Sequence, residues 1–135
     1  MQAYCKITMK KTAISTPGAP QPIAPYSPAI KVGDLLFISG QIAMDPISQV
    51  YDPNQTVAEE TLKVMQNIEA LLIAAGMDWP HVAKATIFLK SMADYAVVNE
   101  VYGRFVGDIP PAREAVQVVQ LPRDCKVEIS VVAHI

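Results

Sequence analysis

Two segments of the chain repeat apolar residues at the spacing of an amphipathic helix. The first begins at Thr56, where Glu59 three residues later completes a capping box, and runs to Gly76. Its apolar stripe comprises Ala58, Leu62, Met65, Ile68, Leu72 and Ala75. The second begins at Ser91 and closes near Gly107, since a Pro-Pro pair then forbids its continuation. The sequence therefore predicts helices over 56–76 and 91–107.

Alternating or β-branched stretches predict four strand regions. A hairpin is expected over 29–39, where Gly33 supplies the positive φ of a tight turn. Further strands are expected over 82–89, 112–121 and 126–135. The order strand, strand, helix, strand, helix, strand, strand favours an α+β domain, with one mixed sheet and both helices on one face.

The last strand indicates how the two faces of this sheet differ. Val127, Ile129, Val131, Ala133 and Ile135 fall on one side of it. Glu128, Ser130, Val132 and His134 fall on the other side. Because both helices cover only one face, the half-apolar second face is a natural place for subunits to meet.

Composition restricts the class of protein. The chain has 135 residues, 51% of them apolar, which suits one domain. We interpret residues 12–135 as that domain and 1–11 as an N-terminal extension that need not be ordered. A net charge of −2 without clustering disfavours nucleic acid as a partner.

Other features argue against membrane insertion and metal binding. No run of eighteen apolar residues occurs, which disfavours a membrane protein. Cys5 and Cys125 are far apart and belong to no ligand cluster, so they are interpreted as reduced thiols of a cytoplasmic protein without a metal site. His81 and His134 each stand alone and are more often structural than catalytic.

Arg113 and Glu128 are the strongest candidates for chemistry. Arg113 follows a rigid Pro-Pro-Ala, so its guanidinium is a fixed fork suited to gripping a carboxylate. Glu128 is flanked by core residues on a strand that points it away from the helices. An interfacial salt bridge between the two is an equally good explanation from the local pattern.

The spacing of Arg113 and Glu128 bears on whether they form a ligand site or a salt bridge. If the last two strands form a hairpin through 121–125, Glu128 lies opposite Val118, roughly 16 Å from Arg113 at ~3.3 Å per residue. One small ligand could not then touch both side chains of one chain. A site that uses both would have to be assembled across a subunit boundary.

Four longer motifs resemble a known family. They are Pro-Tyr-Ser-Pro-Ala at 25–29, Leu-Phe-Ile-Ser-Gly-Gln-Ile at 36–42, Val-Asn-Glu-Val-Tyr at 98–102, and the continuous stretch 110–129 that contains Pro-Pro-Ala-Arg and Lys-Val-Glu-Ile. From about Thr12 onwards the chain resembles the RidA/YjgF family of reactive-intermediate deaminases, also called the endoribonuclease L-PSP family. The resemblance implies a chorismate-mutase-like α+β fold, a sheet of about six strands, and a homotrimer with clefts between subunits.

The resemblance also implies an activity, the hydrolysis of 2-imino and 2-enamino acids such as 2-aminoacrylate to 2-oxo acids and ammonia, without metal or cofactor. The implied partner is a small 2-imino or 2-oxo carboxylate. Arg113 corresponds to the family's anchoring arginine and Glu128 to its acidic residue. The implied substrate-binding residues are Tyr26, Ser39, Gly40, Asn99 and the backbone at Ala115.

One departure and several alternatives remain. Glu114-Ala115 stands where a common form of the motif has Ser-Cys, which matters only to a thiol mechanism, although Glu114 beside the cleft would narrow the range of substrates. Family members are also described as translation inhibitors, ribonucleases and stress proteins. A non-catalytic ligand-binding or chaperone-like trimer is therefore the main alternative, and a fold cannot choose between them.

Overall fold

A computed structural model describes residues 10–135 as one mixed six-stranded sheet with two α-helices on one face. The strands pair in the order β1-β2-β3-β6-β4-β5. The elements along the chain are β1 (Lys11–Ile14), β2 (Ala29–Val32), β3 (Leu35–Gln41), α1 (Val57–Ala74), β4 (Val82–Leu89), α2 (Tyr95–Gly103), β5 (Ala112–Gln117) and β6 (Val127–His134). The predicted α+β architecture is confirmed.

Helix α1 begins and ends where the sequence predicts. The Thr56 side chain accepts a hydrogen bond from the Glu59 backbone N–H, and the Glu59 carboxylate accepts one from the Thr56 backbone N–H. Gly76 follows the helix with φ 76°. The predicted stripe was wrong in part, because Leu62 is exposed. The buried face comprises Glu60, Thr61, Val64, Met65, Asn67, Ile68, Leu71 and Leu72.

Helix α2 is shorter than predicted. Ser91 caps a 3-10 turn over Met92–Asp94, and its Oγ accepts from the Ala93 N–H at 3.2 Å. The α-helix then runs only to Gly103, about one turn short of the predicted end near Gly107. The apolar spacing continues through Val106, but those residues pack as an irregular segment instead.

The hairpin considered for the last two strands is wrong. β5 pairs with β4 in parallel, whereas β6 lies between β3 and β4 and is antiparallel to both. The parallel pair arises because α2 carries the chain back across the sheet between β4 and β5. The short turn Pro122–Asp124 then sends β6 into the middle of the sheet instead of back along β5.

The core lies between the helices and the inner sheet face. Val127, Ile129, Val131 and Ala133 are buried there, as the alternation predicted, whereas Ile135 lies beyond the end of β6 and is 55% exposed. The outer face is more open, with Leu35 39%, Phe37 44% and Val116 43% exposed. These outer residues, with Ile30, Val32, Phe88 and Val132 beside them by register, form an apolar surface that we call the open face.

The N-terminal part of the domain contributes one strand that the sequence did not predict. β1 lines the edge of the sheet beside β2, with Lys11 opposite Val32. The sequence analysis placed Lys11 in the N-terminal extension, whereas the structure places it in β1. Residues 1–9 of the predicted extension lie outside the described residues. Within 10–135, neither helix has the length and apolar character needed to cross a bilayer.

Candidate functional site

One cavity of the described structure contains several of the predicted residues. It has a volume of about 340 Å³ and lies where the proline-rich segment 20–28 covers the end of β3. We call it the β3–β6 pocket. Its polar and charged lining includes Tyr26, Ser39, Gln41, Arg123 and Glu128, together with the backbone of Gly40.

Gly40 and Glu128 define the floor of this pocket. The pairing of β3 with β6 shifts register between Ile38 and Gln41, so Ser39 and Gly40 form an irregularity of the kind that redirects a strand beside a site. A Cβ built on Gly40 would lie 2.9 Å from Cδ of Glu128. The Glu128 side chain therefore occupies the space that glycine leaves free.

The environment of Glu128 alters its acidity. Burial raises the pKa of the Glu128 carboxyl above its ordinary value of 4.5. Within residues 10–135 the side chain has no ion pair with a lysine, arginine or histidine. A half-buried carboxylate without a counter-ion holds a proton more readily than a surface carboxylate, which suits a group that exchanges protons with a bound water.

Ser39 ties the proline-rich segment to the sheet. Its Oγ donates to the Ser27 carbonyl at 2.7 Å, and its N–H donates to the Pro28 carbonyl at 3.0 Å. Tyr26 precedes these residues, lines the pocket and is 52% exposed. The Ser39 hydroxyl proton is thus already engaged in holding the segment that presents Tyr26.

Arg113 lies outside this pocket, in an aromatic setting beside α2. Its Nη2 donates to the Tyr95 hydroxyl at 3.0 Å. Its Cζ lies 5.0 Å from the Tyr102 ring centroid and 5.6 Å from that of Tyr95. Two aromatic faces therefore fix the guanidinium by cation–π contact, and no carboxylate of residues 10–135 neutralises it.

Asn99 and Ala115 belong to the same part of the molecule as Arg113. Asn99 follows Tyr95 by four residues on α2, so the two share a helix face. The Asn99 Oδ1 is buried, and no donor of the described residues reaches it. Ala115 lies two residues beyond Arg113 on β5, on the same sheet face. We call Arg113, Tyr95, Asn99, Tyr102 and Ala115 the arginine cluster.

The arginine cluster and the β3–β6 pocket lie on opposite sheet faces. Arg113 is the register partner of Ala85 on β4, and Glu128 is the register partner of Phe88 on the same strand. Ala85 and Phe88 are three residues apart, so their side chains, and those of their partners, point to opposite faces of the sheet. Glu128, Phe88 and Val116 are in register on β6, β4 and β5. Arg113 is two strands from Glu128, at ~4.8 Å per strand, and three residues along β5 from Val116, at ~3.3 Å per residue, so the Cα atoms of Arg113 and Glu128 are roughly 14 Å apart. No small ligand can contact both side chains of one chain.

Glu114 points away from Arg113, as the alternation predicts. Its carboxylate pairs with Lys84 Nζ at 2.9 Å and accepts from Thr86 Oγ1 at 3.3 Å. The Lys84 ammonium is the main reason why the pKa of Glu114 is below its ordinary value. Glu114 therefore lies on the same sheet face as the open face and belongs to neither the β3–β6 pocket nor the arginine cluster.

Cys125 is unsuited to nucleophilic chemistry. It is fully buried, and burial raises the pKa of its thiol to about 12. Within the described residues, no group of three His, Cys, Asp or Glu side chains is arranged to hold a metal ion.

Sequence reasoning missed Arg123, Gln41, Tyr95 and Tyr102 as site residues. Arg123 falls in a short turn that had been interpreted only as a connection between strands. Tyr95 and Tyr102 fall within the second predicted helix, 91–107, where their spacing marks them only as part of its apolar side. No local signal distinguishes them, because their contact with the site depends on how distant segments pack.

Comparison with known proteins identifies the family. The family described as endoribonuclease L-PSP matches residues 16–135. The chain belongs to the endoribonuclease L-PSP family. This result confirms the RidA/YjgF resemblance drawn from the motifs.

Among relatives in this family, protein DfrA of Myxococcus xanthus is 46% identical over 127 residues, covering 93% of this chain and 96% of that protein. The 2-iminobutanoate/2-iminopropanoate deaminase of Bos taurus is 42% identical over 126 residues, covering 93% of this chain and 91% of that protein. The crystal structure of E. coli TdcF with bound serine has a TM-score of 0.87 and 33% identity, covering 92% of this chain and 98% of TdcF. Imine deaminase activity is thus represented in the family.

Proposed function

We propose that this protein hydrolyses 2-imino and 2-enamino acids to 2-oxo acids and ammonia. The observation that carries the proposal is the position of Glu128 on the floor of the β3–β6 pocket, half-buried and without a counter-ion among residues 10–135. The deaminase name of a bovine relative 42% identical to this chain supports the reaction class. Arg113, fixed between two tyrosines, supplies the cation that a carboxylate substrate requires.

The reaction requires the protein only to hold the substrate, position a water molecule and transfer protons. An iminium carbon is already electrophilic, so a bound water forms the new C–O bond while the C=N electron pair moves to nitrogen. Glu128 accepts the proton that the water loses and returns it to the amino group of the tetrahedral intermediate. The C–N bond then breaks and ammonia leaves, while the hydroxyl oxygen forms the carbonyl and its proton passes to Glu128, which releases it to solvent. An enamine first takes a proton at carbon to become the iminium.

The proposed site is assembled from two subunits of a homotrimer. Arg113, Asn99 and Ala115 come from one subunit, and Tyr26, Ser39, Gly40 and Glu128 come from its neighbour. Two observations support this arrangement. The two groups lie on opposite faces of one sheet and cannot meet within one chain. The open face exposes Leu35, Phe37 and Val116, a surface suited to burial against another copy.

A trapping assay tests the activity. An amino-acid oxidase generates 2-iminopropanoate from alanine at a fixed rate, and semicarbazide competes with water for the imine. Added protein should lower the rate of semicarbazone formation, whereas Arg113→Ala protein at the same concentration should not. Equal semicarbazone rates with and without wild-type protein would refute hydrolysis of this imine.

A non-catalytic carboxylate-binding role is the second candidate. The observation that favours it is the serine bound to TdcF, whose sequence is 33% identical to this chain. Calorimetric titration with serine and with pyruvate separates the candidates when combined with the trapping assay. Binding that depends on Arg113, together with no effect on imine lifetime, would support the binding role and exclude the enzymatic one.

A further inference from the structure

Arg123 lies on a turn with a costly backbone conformation. Its φ is 58°, and that of Asp124 is 55°, so two consecutive residues with side chains adopt the left-handed region. Such conformations are unfavourable for residues other than glycine and persist where the surrounding structure holds them. Strained positions of this kind are concentrated at ligand-binding sites, which makes the Arg123 side chain a candidate for function.

The turn is held on both sides, while the guanidinium of Arg123 has no ion pair among the residues that the structure describes. Asp124 Oδ2 pairs with Lys90 Nζ at 2.8 Å. The Lys126 N–H donates to the buried Glu60 carboxylate at 2.8 Å. Within residues 10–135, Arg123 makes no ion pair with any carboxylate. The backbone is anchored by its neighbours, and the cation is left available to a ligand.

Arg123 also decides the charge of the β3–β6 pocket. Among the described residues that line this pocket, Arg123 and Glu128 are the two charged ones. Among residues 10–135 the two side chains form no ion pair with each other. The guanidinium therefore provides positive potential in the pocket that no carboxylate of residues 10–135 neutralises by an ion pair.

The part of the pocket that one chain forms is larger than a three-carbon imino acid. Its volume of about 340 Å³ falls in the range of roughly 300–1,000 Å³ of pockets that enclose drug-sized ligands. Apolar residues such as Ile42 and Met44 line the space beside the two charges. That lining suits the methylene groups of a longer side chain whose end is anionic.

We infer that Arg123 binds an anionic group at the end of the substrate side chain, and that the preferred substrates are 2-imino dicarboxylates. This inference rests on the proposed function for the orientation of the ligand, in which Arg113 of the neighbouring subunit holds the α-carboxylate and Glu128 faces the reacting carbon. Arg123 is then a specificity-determining residue, because it contacts the distal carboxylate and takes no part in proton transfer.

Two stable 2-oxo acids of equal chain length test the inference. Calorimetric titration compares 2-oxoglutarate, which ends in a carboxylate, with 2-oxopentanoate, which ends in a methyl group. Wild-type protein should bind 2-oxoglutarate about tenfold more tightly, the factor expected of one charge-assisted hydrogen bond at a partly exposed site. Arg123→Gln should abolish this preference and leave the affinity for 2-oxopentanoate within about twofold, since the α-carboxylate contacts are unchanged.

Two further variants separate binding from folding and from net charge. Arg123→Gly removes the guanidinium and relieves the left-handed backbone, so it should lose the preference without losing stability. Lys11→Gln removes one positive charge on β1, outside the pocket, and should bind both acids as wild-type protein does. Thermal unfolding of each variant verifies that it is folded.

Three outcomes overturn the inference. They are equal affinity of wild-type protein for the two acids, retention of the preference in Arg123→Gln, and an equal loss of both affinities in that variant, which would make Arg123 the α-carboxylate anchor. Failure of the proposed function is distinguishable, because it would appear as unchanged imine lifetimes in the trapping assay. The titrations would still report whether Arg123 selects dicarboxylates.

Discussion

Glu128 of β6 lies directly over the backbone of Gly40 on β3, in the space that a side chain at position 40 would fill. A Cβ there would lie 3.1 Å from Cγ of Glu128 and 2.9 Å from its Cδ. The carboxylate keeps this orientation only while residue 40 lacks a side chain, and the φ of Gly40 is not positive. This contact links the irregular pairing of β3 with β6 to the orientation of the acidic residue.

Gly40→Ala should lower kcat by at least about tenfold, since the displaced carboxylate could no longer exchange protons with a bound water. The cost in unfolding free energy should be small, because the half-buried end of the Glu128 side chain can rotate away from the new methyl group. Steady-state rates and urea unfolding measure the two effects. Gly103→Ala is the matched control, because a Cβ there meets no atom within 4 Å. Wild-type activity in Gly40→Ala would show that the orientation of Glu128 does not matter.

The activity should depend on pH through Glu128. Burial raises the pKa of this carboxyl above 4.5, and a general base acts in its ionised form. The rate should therefore rise with pH through a midpoint above 4.5, and Glu128→Gln should lose at least about tenfold in kcat and this dependence together. A pH–rate profile of both proteins measures this. If the rise of the rate with pH persists unchanged in Glu128→Gln, it reports the titration of another group, and the prediction is wrong.

The stability of Glu128→Gln should change in the opposite direction to its activity. A carboxyl with a raised folded pKa favours the protonated form in the folded state, so the ionised form destabilises the fold at pH 7. This unfavourable contribution disappears as the pH falls below the unfolded pKa. Glu128→Gln should thus unfold at the same or a higher temperature than wild type at pH 7, and any difference should vanish in acid. A clearly lower melting temperature at pH 7 would contradict the raised pKa.

Subunit mixing tests whether Arg113 and Glu128 act across a boundary. Arg113→Ala and Glu128→Gln should each be inactive alone. Equal amounts unfolded together and refolded should regain about a quarter of wild-type activity, because each site draws its two halves independently from a cyclic assembly. Sedimentation measures the size of the assembly in the same samples. A mixture as inactive as its components would place both residues in the site of a single subunit.

The buried Glu60 should contribute strongly to stability. It is 0% exposed, and its carboxylate accepts from the Tyr51 hydroxyl at 2.5 Å, the Lys126 N–H at 2.8 Å and Lys126 Nζ at 3.1 Å. Glu60→Gln should cost about 2 kcal/mol of unfolding free energy, since it leaves a charge and a donor poorly satisfied.

The matched control is Glu100→Gln on the surface of α2. Glu100 pairs with Arg104 at 2.9 Å in a solvent-exposed position, so its loss should cost at most about 0.5 kcal/mol. Urea denaturation of both variants provides the comparison. Equal costs in the two variants would show that the buried network stabilises the fold no more than an exposed ion pair does.

The elements with local signals were predictable. The capping box at Thr56 and Glu59, the hairpin glycine Gly33 and the alternation of β6 all depend on residues close together in sequence. Each of them appears in the structure. The end of α2 was not predictable in the same way, because its apolar spacing persists after the hydrogen-bonded helix has ended.

Strand order was the part of the fold that local pattern could not supply. Two strands separated by a five-residue connection suggest a hairpin, yet β6 inserts between β3 and β4. The position of β6 depends on two packing arrangements. β4 and β5, which α2 connects, pair in parallel, and α1 packs over β6. Those contacts join segments far apart in the chain, so no window of sequence contains them.

The sequence by itself determined the family, the two helices, the alternating faces of the last strand and the chemical identity of Arg113 and Glu128. Tertiary structure decided that these two residues lie on opposite sheet faces, that Gly40 accommodates Glu128, and that Arg123 enters the same pocket. The physical reason is the range of the interactions. Caps, turns and alternation are set by neighbours within a few residues, whereas a pocket exists only where packing brings distant backbone segments together.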